Sequence, residues 1–326
     1  MKKALKIIVG VLLILVALGI FFYPNFREWN TNREVNQIVK KFEKDFKTDE
    51  NVSDKKKSAT ENSDNTETLD DSSDATPTQF TDLYNELQDY NKNLVANGQQ
   101  LTDAWSYQQA PISLDHMPSG DATIGYIEIP DMKVKLPLLL GASMDNLSKG
   151  AAVLSQTSMP IGGTDTNCVI AAHRGWKGSA YFQRIENLKA GSKVYVTNPW
   201  ETLVYEVTST KIVNPDDIDA IKLQSGKDMV TLISCHPYVI GGGPYRYIAY
   251  CERVGTEEKK ENVKMENPAI DENMTSSSDE TVQIPQEELD ASEKLLFWEQ
   301  HLRIILPIAT IILSVLIIFV NRRKRK

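Results

Sequence analysis

Cysteine is scarce in this chain, with three among 326 residues: Cys168, Cys235 and Cys251. Three cannot build the disulfide framework that staples small extracellular domains, and at least one thiol must stay unpaired. Histidine is equally sparse at four. No His or Cys pair stands at metal-ligand spacing, so neither a metal centre nor any cofactor is expected. An excess of positive charge is also missing. The net charge is −8 and the basic residues concentrate at the tips, which argues against a nucleic-acid partner and for an acidic, solubilising exterior. The chain has no internal repeat.

Two long apolar runs are present, one near each end. Residues 4 to 23, ALKIIVGVLLILVALGIFFY, hold a single charge, Lys6, and about 20 apolar residues suffice to cross a bilayer. Lys2, Lys3 and Lys6 make the leading flank positive, whereas the Phe21-Phe22-Tyr23-Pro24 exit lacks a small-x-small cleavage site. That combination favours a retained signal anchor over residues 1–24, with Ala17 and Gly19 keeping cleavage open. Residues 304 to 320, IILPIATIILSVLIIFV, are followed at once by Asn321-Arg322-Arg323-Lys324-Arg325-Lys326, a cytoplasmic-side signal under the positive-inside rule. Pro307 is tolerable near the start of a spanning helix. The expectation is two transmembrane helices, the second over 297–320, with both termini cytoplasmic, a basic tail at 321–326 and the remainder outside the cell.

Between the runs the composition changes several times. Val35, Ile38, Val39, Phe42 and Phe46 fall at helical spacing, which predicts a juxtamembrane amphipathic helix acting as a stalk. Residues 47 to 79 hold few large apolar groups and are read as a disordered tether. Phe80, Leu83, Leu87, Tyr90 and Leu94 then predict a helix with Thr78 or Thr81 as N-cap and Asn97-Gly98 as its stop. From residue 121 the pattern is β: ATIGYIEIP, KVKLPLLL, NCVIAAH, SKVYVT, TLVYEVTSTKIV, DMVTLISC and YRYIAYCERV, separated by Pro, Gly and Asn clusters. Short helices fit at 143–149 and at 179–188, the latter with Phe182, Ile185 and Leu188 on one face. The folded region is placed at about 80–255, comprising an N-terminal segment at 80–120 and a closed barrel or sandwich at 121–255. An acidic linker follows at 256–296.

Cys235 ends an apolar strand-like run, TLISC, and free cysteine is more often an inert core residue than a nucleophile. Two other residues change that balance. His173 closes CVIAAH where a loop begins, a place where functional groups tend to be mounted. Arg246 lies beyond a Gly-rich loop, HPYVIGGGPY, able to reverse the chain so that two antiparallel neighbours bring Arg246 beside Cys235. His236 adjoins Cys235, but consecutive strand side chains point to opposite faces, so it aims away if the strand persists. Imidazolium and guanidinium neighbours favour a thiolate, a guanidinium stabilises an oxyanion, and an imidazole protonates a leaving amine. The plainer alternatives are a loop-capping His173 and an Arg246 paired with a surface carboxylate. Cys168 and Cys251 stand in apolar alternation, either as buried thiols or as a disulfide pair.

AAHRG at 171–175, TLISC at 231–235 and Arg246 together resemble the motifs of the sortase family, and the resemblance covers roughly residues 80 to 255. Ser234 stands where the family's threonine is usual. The resemblance implies a mainly β fold: a closed eight-stranded barrel with short helices and an N-terminal helical and lid extension, flanked by two transmembrane helices. It implies a cysteine transpeptidase cleaving an LPXTG-like signal between Thr and Gly, with Cys235 forming the thioester, His173 as acid and base, and Arg246 holding substrate and oxyanion. LTDAWSY at 101–107 and the second apolar run look most like class C, pilin-polymerising members. Asp103 and Trp105 would then form a lid, Asp103 pairing with Arg246 and Trp105 packing on the Cys235 sulfur for about 1 kcal/mol. Ala104 replaces the lid's usual proline, which leaves that backbone less restricted. The implied partners are LPXTG-bearing pilin or surface proteins, a pilin lysine amine as nucleophile, and the membrane. Alternatives are a housekeeping sortase attaching proteins to wall peptides, a secreted cysteine protease, and a non-catalytic tethered module.

Overall fold

β-Branched and leucine-rich segments between Thr123 and Glu257 pair into eight strands in the computed structural model. Residues 2–57, 81–101, 109–114, 117, 121–239 and 242–257 are described, with scattered helical positions between 289 and 312. The strands are β1 (Thr123–Ile129), β2 (Val134–Leu140), β3 (Ala151–Val153), β4 (Thr166–Ala171), β5 (Lys193–Thr197), β6 (Thr202–Val213), β7 (Asp228–His236) and β8 (Tyr245–Glu257). They close a barrel in the order β1-β2-β3-β4-β7-β8-β6-β5, so no strand edge is left open. The seven segments read from sequence all pair. The eighth strand, β3, is three residues long and too short to show a period.

Alternation along each strand sorts side chains between the barrel interior and an outer face. Ile127, Leu138, Ile170, Val194, Leu203, Val230 and Leu232 fill the interior. Leu154, Val169, Val213, Ile221, Ile233 and Ile248 make a second, outer cluster. β7 feeds both, Val230 and Leu232 inward and Ile233 outward, which is why Leu232 and Ile233 stand side by side instead of alternating with polar residues. Burying each such aliphatic side chain contributes about 1.5 to 3 kcal/mol.

Among the described residues, three continuous α-helices accompany the barrel: α1 (Lys2–Lys57), α2 (Thr81–Asn97) and α3 (Met144–Lys149). α2 buries Leu83, Leu87 and Leu94, and its buried Asn91 is bonded to the backbone of Met159, accepting from the amide at 2.7 Å. The helix stops at Gly98, whose φ of +77° favours glycine. Ser143 caps α3 by accepting from the Asn146 amide at 3.1 Å. The helix expected at 179–188 is instead a run of turns ending in a 3-10 turn at Ile185–Asn187. Its apolar face is nonetheless buried, with Phe182, Ile185 and Leu188 in the core. Tyr181 adopts φ +42°, which a continuous helix would not allow.

α1 departs most from expectation. It runs on through residue 57 rather than ending near Phe46; the rest of the expected tether, 58–79, lies outside the described residues. Its stripe is no free stalk, because Val35, Val39 and Phe42 are buried and Val35 belongs to the main core. Phe42 meets Tyr126 of β1 edge-on at 6.1 Å, and Glu43 pairs with Lys135 of β2 at 2.8 Å. Among the described residues no helix is long and apolar enough to cross a membrane. Several side chains of the 4–23 run, and most of the 304–320 run, lie outside the described residues.

Register also settles the two core thiols. Cys168 of β4 and Cys251 of β8 both pair with Val230 of β7 from opposite sides. Two strand spacings separate them by about 9 to 10 Å, beyond the roughly 7 Å that a disulfide spans. Both are free and buried, and burial pushes both thiols well up.

Candidate active site

Cys235 lies near the end of β7 with a neighbouring strand on each side. On one side β8 runs antiparallel and places Arg246 directly opposite Cys235. On the other, β4 runs parallel to β7 with Ala171 opposite Ile233. The ladder continues past the end of β4, because the Ala172 amide donates to the Ile233 carbonyl at 3.2 Å and the Ser234 hydroxyl donates to the Ala172 carbonyl at 2.9 Å. Carried one residue further, this register brings His173 alongside Cys235. Strand neighbours lie about 4.8 Å apart, so thiol, imidazole and guanidinium stand in one row on the outer face with Ile233 and Ile248.

Each member of the row has its own support. Cys235 is half-buried, unlike the two core cysteines, so it is the free thiol open to reagents. Gly242, at φ +95°, passes close by, and a Cβ there would sit 3.6 Å from the sulfur. Arg246 turns its Nη1 onto the carbonyls of Gly243 at 3.0 Å and Tyr245 at 2.9 Å. The His173 ring stacks on Trp176 with centroids 4.4 Å apart and planes 10° from parallel. Its Nε2 is buried with no hydrogen-bond partner among the described residues. Burial lowers its pKa below the ordinary 6.5, so the ring is mostly neutral near pH 7 and able to accept a proton.

His236 points inward, opposite to Cys235, as strand alternation requires. It joins a network that sequence reasoning did not find. Arg174, with 4% of its side chain exposed, places Nη2 2.6 Å from Glu186 Oε1, and His236 Nδ1 lies 2.6 Å from the same oxygen. Arg174 Nη1 lies 2.9 Å from His236 Nδ1 and 3.1 Å from the Cys235 carbonyl. A guanidinium cannot donate to a protonated nitrogen, and the carboxylate places the proton on Nδ1, so Nη1 donates to the Cys235 carbonyl. Burial alone would raise the Glu186 pKa; the hydrogen bonds from His236 and Arg174, with their charges, outweigh it and hold the carboxyl down at about 2. The residue after His173 is thereby tied to the backbone of Cys235. Only the position of Arg174, next to His173, hinted at this from sequence.

Asp103 and Trp105 fall at 102–108, outside the described residues. The flanks of that segment are both seated. Leu101 packs against the outer cluster containing Ile233 and Ile248, and the Gln109 carbonyl accepts from the Ser155 hydroxyl close to Gly141.

A half-buried thiol between an imidazole and a guanidinium, at the strand ends of a closed barrel, is the constellation of a cysteine acyl-transfer enzyme. A sortase-domain family model matches residues 127–254. The chain is 32% identical over 152 residues to sortase D of Bacillus subtilis (strain 168), covering 46% of this chain and 73% of that protein. It is 36% identical over 117 residues to sortase A of Staphylococcus aureus (strain NCTC 8325 / PS 47), covering 35% and 55%. Among solved structures it is similar to sortase C from Clostridium perfringens SM101, at 34% identity and TM-score 0.44 over 54% of this chain and 89% of that one. Sortase C1 of GBS Pilus Island 1 matches at 26% identity and TM-score 0.49 over 56% and 87%. The chain belongs to the sortase family, whose members are cysteine transpeptidases.

Proposed function

We propose that this chain is a membrane-tethered transpeptidase that cleaves an LPXTG-like sorting signal between Thr and Gly and passes the acyl group to a lysine amine of a pilin subunit. The observation that carries the reading is the placement of Cys235 between Arg246 and the continuation of β4 that ends in His173. The Cys235 thiol gives its proton to His173 and the sulfur attacks the Thr carbonyl carbon. The oxyanion faces the Arg246 guanidinium. As the C–N bond breaks, the His173 imidazolium protonates the leaving Gly amine, leaving a thioester on Cys235. The incoming lysine amine then adds to the thioester carbonyl, His173 takes its proton, and the C–S bond breaks to restore the thiol.

The pilin lysine is supported by the Asp103-Ala104-Trp105 sequence, which looks like the lid of class C members, and by the second apolar run near the C-terminus. The two apolar runs support anchoring with the barrel outside the cell and both termini cytoplasmic. The test is competition between acceptors, using the full-length protein in detergent with an LPXTG-type peptide. A pilin-derived lysine peptide that outcompetes a short glycine peptide supports the reading. Preference for the glycine amine would move the protein to wall anchoring, and complete turnover with water alone would make it a protease.

A further inference from the structure

His173 stacks face to face on Trp176, and that contact orients a ring whose buried Nε2 has no hydrogen-bond partner among the described residues. A catalytic base is normally aimed by a third group; in this site the third group is an indole. The indole is in turn held by a tight loop. Trp176 and Ser179 exchange backbone hydrogen bonds at 2.9 and 2.8 Å, and the His173 carbonyl closes the loop by accepting from the amides of Gly175 at 2.9 Å and Phe182 at 3.0 Å. The tip of the loop rests on α1. The buried Ser179 hydroxyl donates to Asn32 Oδ1 at 2.7 Å, and Gly178, at φ +91°, packs so closely that an added Cβ would lie 3.2 Å from the Glu28 Cβ. α1 is itself fixed to the barrel through Val35, Val39, Phe42 and the Glu43–Lys135 pair.

We propose that α1 is a working part of the active site, and that Asn32 is a positioning residue which sets the His173 ring through Ser179 and Trp176. The helix leading from the N-terminal apolar run therefore governs the acid–base step. Unseating α1 slows the reaction without disturbing the grip on substrate. This rests on the reading of His173 as acid and base. Charged groups near the loop include Lys177, 5.6 Å from the Trp176 ring, Glu28 and Glu34 on α1, and Arg174, which is turned inward to Glu186, while Arg246 of β8 stands opposite Cys235.

The experiment compares full-length wild type with Asn32→Ala, Asn32→Asp, Ser179→Ala, the Asn32→Ala/Ser179→Ala double variant and His173→Gln, all in lipid nanodiscs well below their unfolding temperatures. Asn32→Ala should lower kcat about tenfold with KM within about twofold, the signature of a misaimed group rather than lost binding. Asn32→Asp keeps the acceptor for Ser179 and should restore the rate. The double variant should be no slower than either single one, because both break the same link. By NMR, the His173 imidazole in Asn32→Ala should titrate higher than in wild type as the ring gains solvent. Unchanged kcat and unchanged His173 titration in Asn32→Ala, with His173→Gln inactive, would overturn the inference and leave the site reading intact. An active His173→Gln would sink the site reading itself and the inference with it. A lower unfolding temperature in Asn32→Ala with wild-type rates would reduce the link to a structural contact and likewise overturn the inference.

Discussion

Replacing Glu186 with Gln removes the charge that holds Arg174 and His236 together beneath the site. The Glu186 carboxyl titrates at about 2 instead of its ordinary 4.5, a gap worth about 3 kcal/mol at full strength. With 41% of its side chain exposed, solvent screening reduces that to about 1 to 2 kcal/mol. The variant also leaves the Arg174 guanidinium, 4% exposed, without its counter-charge, and the two effects together should come to about 2 kcal/mol near pH 7. For a domain of this size that lowers the unfolding temperature by about 6 °C. The pH dependence carries the stronger test. A depressed carboxyl pKa contributes stability that is complete above the ordinary carboxylate range and is lost as pH falls from about 4.5 towards 2. Wild type and Glu186→Gln should therefore differ fully above about pH 5 and converge towards pH 2 in thermal melts followed by circular dichroism. A difference that stays constant with pH, or a Gln variant as stable as wild type at pH 7, would refute the reasoning.

Four other outcomes follow from the geometry. Gly243→Ala would drive its Cβ into the carbonyl oxygens of His236 and Pro237, so it should cost about 3 kcal/mol and lower kcat/KM by displacing the turn before Arg246; wild-type melting and rates would contradict this. Cys168 and Cys251 are held apart by β7, so mass spectrometry under oxidising conditions should find no loss of two hydrogens within the chain. A thiol reagent should label Cys235 alone until the protein is unfolded. Because burial lowers the His173 pKa, the acid limb of kcat/KM should fall below pH 6.5; a limb at or above that value would mean the ring is more solvated than its packing against Trp176 implies.

Periodicity made most of the barrel legible, since strands with one buried face alternate visibly. β3 escaped because three residues, Ala151 to Val153, cannot display a period of two. The stripe of Val35, Val39 and Phe42 was equally visible, but an amphipathic stripe says only that a helix has a partner. The partner, β1 and β2, lies about 90 residues away in sequence. Motif order singled out Cys235, His173 and Arg246, and register explains how they come into one row. Trp176, Glu186 and Asn32 gave no such signal. Glu186 and Asn32 meet their partners across distant segments, with Ser179 and Asn32 147 positions apart, and Trp176, although close to His173 in sequence, fits no spacing rule that would mark it. The glycines at 241–243 read as a permissive loop able to reverse the chain, and Gly242 and Gly243 are each required individually, by a positive φ and by a close approach of backbone.

The central claim is that Cys235 carries an acyl group and hands it to an amine. Intact-mass spectrometry of the full-length protein with an LPXTG-type peptide, quenched in acid, tests it most directly, with Cys235→Ala alongside. The account predicts an adduct of the peptide's acyl portion on wild type, absent from Cys235→Ala, which disappears on addition of a lysine-bearing pilin peptide as the joined product forms. Peptide cleavage by Cys235→Ala at the wild-type rate, or an adduct that maps to another residue, would contradict it.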